Sequence, residues 1–145
     1  MLFNEYVHAM QKMSAMGAWG YINYRVLMVS IYEGAADFIA ETITGATINT
    51  NVYEYGNSNE SKIWDNFQKD MMSNRESNWL YQGDNTIGDV PADLGYFVGY
   101  KICESYYQNA SDKNQALQDI VSIKNYKRFY RKSGYGKSKK SGLIK

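Results

Sequence analysis

One long apolar stretch constrains this chain more than any other feature. Residues 24–44, YRVLMVSIYEGAADFIAETIT, are apolar on most sides at helical spacing and stop at Gly45, a residue suited to the left-handed position just past a helix end. A helix with so little polar surface has to be surrounded by others, so it is expected at the centre of the fold. Yet the stretch carries Glu33, Asp37 and Glu41. Carboxylates are rarely buried unless paired, hydrogen-bonded or bound to a metal. Either these three line a solvent-facing stripe, or the central helix holds a polar site.

Elsewhere strand-like alternation is scarce and helical spacing dominates, which predicts an all-α fold. Residues 2–16 place Leu2, Phe3, Tyr6, Val7, Met10, Met13 and Ala15 near one face, and Gly17 and Gly20 mark a break. Residues 45–60 are polar, β-branched and rich in Gly and Asn, which reads as a loop with room for a short strand. Ser58 or Asn59 caps a helix over 61–72 whose inner face carries Ile63, Trp64, Phe67 and Met71. Pro91 suits the first turn of a helix over 92–109, on which Gly95 and Gly99 share a face and allow close backbone approach. Asp112 caps a helix reaching Ile123, and a short helix covers 126–132. The remaining SGYGKSKKSGLIK has no periodicity. The organisation is therefore one helical domain over 1–135, of a size that carries its own core, and a basic flexible tail over 136–145.

Composition narrows the function classes. No run reaches the roughly 18 to 20 apolar residues of a membrane span. The start is unlike a signal peptide, with Asn4, Glu5 and His8 where an apolar run belongs. The single cysteine, Cys103, excludes an internal disulfide and fits a reducing compartment, so a cytoplasmic protein is expected. Net charge is +1, but residues 1–123 sum to −8 while residues 124–145 hold 9 basic residues and no acid.

The stretch NEYVHAMQ, residues 4–11, differs by one letter from the helical zinc motif H-E-x-x-H, with Asn4 in the place of the first histidine. Side chains at i and i+4 project side by side, so positions 4 and 8 could grip one ion while Glu5 deprotonates its bound water. The bland reading is a Glu and a His sharing an exposed helix face. In EGAADFIAE, residues 33–41, Glu33 would be a third ligand and Asp37 an acceptor that orients a histidine, completing a His₂Glu-like set. Tyr96 and Tyr100, within GYFVGY, read more readily as core aromatics, although one phenol could stabilise an oxyanion.

Together, NEYVHAMQ, EGAADFIAETITG and PADLGYFVGYKICESYY resemble the DUF2268 family of predicted zinc-dependent proteases, over roughly residues 1–135. The resemblance implies the helical part of a zincin-like domain that hydrolyses peptide bonds in a peptide or protein substrate. It assigns Glu5 as general base, His8 and Glu33 as zinc ligands, and Asp37 as the orienting carboxylate. Asn4 departs from the pattern. An amide oxygen is a poor zinc donor, so Zn²⁺ is expected to be held weakly or lost. The larger segment that the family carries before the motif is absent, so upstream sequence is expected to be missing. Two rivals stay open: a non-catalytic binding module built on the same scaffold, and a nucleic-acid binder using KNYKRFYRKSGYGKSKK. The latter composition is more often a solvated helix and a basic tail.

Overall fold

The computed structural model of the chain describes residues 2–11, 25–83 and 86–137. Among them are six helices: α1 (Leu2–Met10), α2 (Arg25–Thr44), α3 (Thr50–Asp70), α4 (Leu94–Asn109), α5 (Lys113–Val121) and α6 (Tyr126–Ser133), with a single 3₁₀ turn at Glu76–Asn78. The all-α class holds, since extended pairing among the described residues amounts to one isolated bridge between Ile87 and Val90.

α2 is the central helix, as its all-round apolarity requires, with 14 of its 20 residues buried. It ends where expected, with Gly45 at φ +70°. α4 lies across it at backbone contact. An added Cβ on Gly99 would sit 1.7 Å from the Ser30 carbonyl oxygen, and one on Gly34 would sit 2.1 Å from the Tyr100 nitrogen. Gly95 and Gly99 thus allow the close approach that their spacing suggests. Gly34, the glycine on the other helix, carries no spacing signal of its own.

Three expectations are corrected. The short strand within 45–60 is absent; α3 begins at Thr50 and takes up that segment. Tertiary packing overrides the polar local composition there, because Tyr53 stands edge-on to Phe97 and Tyr100, with ring centroids 6.0 and 4.9 Å away. Asn59 marks a kink within this helix (φ −125°) rather than its cap, and its amide donates to the Tyr55 carbonyl at 2.9 Å. The first helix closes at Met10, and the rest of the expected 2–16 segment and its glycine break lie outside the described residues. Only part of the apolar stripe docks: Phe3, Tyr6 and Met10 are exposed, while Val7 and the polar Gln11 are buried.

At the other end the local signals hold. The Asp112 carboxylate accepts from the Gln115 amide at 2.9 Å and the Asn125 side chain from the Arg128 amide at 2.8 Å, capping α5 and α6. Beyond α6, Tyr135 packs edge-on to Trp64 (4.9 Å) and donates to Glu60 (2.8 Å), and Gly136 lies against the same indole. The packed body therefore extends through Gly136. The rest of the expected tail, from residue 138, lies outside the described residues.

The crossing makes a sharp stability prediction. Gly99→Ala drives a methyl into backbone that cannot move aside, and is expected to cost more than about 3 kcal/mol. Gly45→Ala, at positive φ but with nothing within 4 Å, is expected to cost only about 1 kcal/mol. Urea unfolding of the two variants checks the ranking.

Candidate functional site

α1 is fastened to α2 by polar side chains. Asp37, 2% exposed, accepts from the Asn4 amide at 2.6 Å, from the Tyr53 hydroxyl at 2.9 Å and from the Asn49 amide at 3.4 Å. One turn away, Glu33 accepts from the Tyr81 hydroxyl at 2.7 Å and faces the His8 Nε2 at 3.2 Å. Tyr81 reaches Glu33 from a left-handed backbone conformation, φ +60°, that a bulky residue seldom adopts. Gln11 completes the arrangement. Its amide donates to the Tyr32 carbonyl at 3.0 Å, which turns its oxygen toward the His8 Nδ1 at 2.6 Å. The His8 ring also stacks on Tyr32, centroid to centroid 4.7 Å.

These contacts bias protonation. Both nitrogens of His8 face acceptors, and only the doubly protonated imidazolium donates to both. Burial pulls the His8 pKa down, but the hydrogen bond and charge of Glu33, with help from Gln11 and Glu5, outweigh it and leave it above its ordinary value. Burial pushes Asp37 up; its hydrogen bonds with Tyr53, Asn4 and Asn49 pull it back, Glu33 pushes it up further, and it ends above the usual carboxylate range. Burial, reinforced by Glu33, also keeps the Tyr96 phenol firmly protonated.

Above these groups opens a cleft of about 940 Å³, lined by Asn4, Glu5, His8, Glu33, Asp37 and Tyr96 among others. All six residues singled out from the sequence therefore meet at one place. Tyr100 does not join them; it packs on Phe38 and Tyr53. The partners Gln11, Asn49, Tyr53 and Tyr81 carried no local signal. Tyr81 lies 48 residues from the carboxylate that it serves.

The chemistry differs from the zinc reading. Asn4 directs an N–H at Asp37, which leaves His8 and Glu33 as only two suitable donors, too few to fit a zinc ion. Among the described residues no group of three or more His, Cys, Asp or Glu side chains stands so as to hold a metal. Nor is any described helix long and apolar enough to cross a membrane.

The sequence model of the family described as gliding motility protein GldB matches residues 23–137. No curated protein and no solved structure matches the chain. The family match corrects the resemblance to predicted zinc-dependent proteases, and with it the zinc-peptidase function. It also corrects the cytoplasmic placement, because the matched model is one of lipoproteins. The matched span contains Glu33, Asp37, Tyr53, Tyr81 and Tyr96, whereas Asn4, Glu5 and His8 precede it.

The raised His8 pKa makes the fastening of α1 pH-dependent. A folded-state pKa above the unfolded value means that His8 stabilises the fold below about pH 6.5 and loses that contribution as pH rises through the folded-state pKa. Wild type is therefore expected to melt at a lower temperature on the alkaline side of this window. His8→Gln should melt nearly independently of pH there, as thermal scans across neutral pH would record.

Proposed function

The chain belongs to the gliding motility protein GldB family, and we propose that it serves gliding motility as a lipoprotein of the cell envelope whose cleft holds a segment of a partner protein. The family match over residues 23–137 supports the motility role. One geometric observation supports a binding use of the cleft: its two buried carboxylates are satisfied from within. Glu33 is taken up by His8 and Tyr81, and Asp37 by Asn4, Tyr53 and Asn49. Groups engaged in this way hold the walls rigid. Around them, Asn49, Asn51, Thr86 and Tyr96 supply donors and acceptors of the kind that orient a polypeptide backbone in a groove.

The test is genetic. Deleting the gene in its gliding host is expected to abolish colony spreading, and the wild-type chain to restore it. Asn51→Lys combined with Thr86→Lys, both exposed on the cleft wall, is expected to accumulate normally and yet restore little spreading. Normal spreading of the deletion strain would overturn the motility role. Full rescue by the double variant would overturn the cleft as the binding site.

A further inference from the structure

α6 has two unlike faces. Tyr126, Phe129 and Ser133 are buried against the body, while Lys127, Arg128, Arg131 and Lys132 are exposed, flanked by exposed Lys124 and Lys137. No acidic residue occurs between 124 and 145, in a chain whose first 123 residues sum to −8. A carboxylate also faces this helix. Asp119 of α5 lies near Lys132, and its carboxyl is held below the usual range first by hydrogen bonds from Tyr106 and Gln115 and then by that lysine.

The helix is locked in this orientation. Phe129 lies 4.4 Å from the Tyr106 ring and Tyr130 6.0 Å from Trp64, centroid to centroid. The Ser133 carbonyl accepts from the Ser105 hydroxyl at 2.7 Å and the Asn109 amide at 3.0 Å. The aromatic face is thus committed to the core, which leaves the cations as the outward surface. A helix of this kind cannot sink an apolar face into a bilayer. Nor does it offer a stacking platform for unpaired bases, because Tyr126 and Phe129 are covered. What it offers is fixed positive charge spread over one side.

We propose that the outer face of α6 is a contact surface for anionic phospholipid headgroups, bound by charge without insertion. Membership of a lipoprotein family places a bilayer within reach, so the inference rests on that membership and not on the cleft. Each basic residue near an anionic surface contributes about fivefold to partitioning.

The experiment is vesicle co-sedimentation of the full chain. Binding is expected to vesicles containing phosphatidylglycerol and not to pure phosphatidylcholine, and to vanish near 1 M salt, where the Debye length falls to about 3 Å. Arg128→Gln with Arg131→Gln is expected to weaken binding about 25-fold at low salt, with an unchanged melting temperature. Equal binding to neutral vesicles would overturn the proposal. So would unchanged binding by the double variant. An oligonucleotide that strips the chain from vesicles at matched phosphate concentration would also overturn it, in favour of a nucleic-acid surface.

Discussion

Where α2 and α4 cross, backbone rests on backbone, and the rest of the molecule is arranged around that contact. No side chain separates Gly34 from Tyr100 or Gly99 from Ser30. Such an approach turns two cylinders into one rigid pair and defines how α2 is rotated. Successive residues on a helix are about 100° apart, so seating Gly34 against α4 carries Glu33 round to a different side, with Asp37 one turn beyond it. The carboxylates of a buried helix are thereby aimed at one opening rather than at the aromatic core.

That aim creates a debt of solvation, which distant segments discharge. Asp37 collects donors from α1, from the turn before α3 and from α3 itself, and Glu33 from α1 and from the loop that precedes α4. Removing any one donor leaves the others in place, but the set as a whole is what permits two buried acids in a largely apolar helix. The same bonds explain an inverted helix. α1 docks through Asn4, His8 and Gln11 beside a buried Val7 and turns Phe3 and Tyr6 outward, because much of the surface awaiting it is acidic.

Charge is segregated by a similar division of labour. The acids all precede residue 124, and the last helix carries a basic exterior over an aromatic interior. A net charge of +1 therefore conceals an acidic body and a basic C-terminal segment.

Helix-forming segments were legible in the sequence wherever the signal was local. Apolar periodicity marked α2 as central, Gly45 marked its end, and Asp112 marked the start of α5, because caps and amphipathic spacing act over a few residues. The convergence of positions 4, 8, 33 and 37 was legible as well, since residues four apart share a helix face and buried acids demand partners. Only the tertiary structure decided what those partners were. The spacing that suits a metal site suits a hydrogen-bonded pair equally well, and only the set of donors that the fold brings together separates the two. Here Asn4 stands 2.6 Å from Asp37, and His8 stands 3.2 Å from Glu33. The early start of α3 and the reach of Tyr81 were likewise invisible along the chain, because each depends on a surface supplied by residues dozens of positions away.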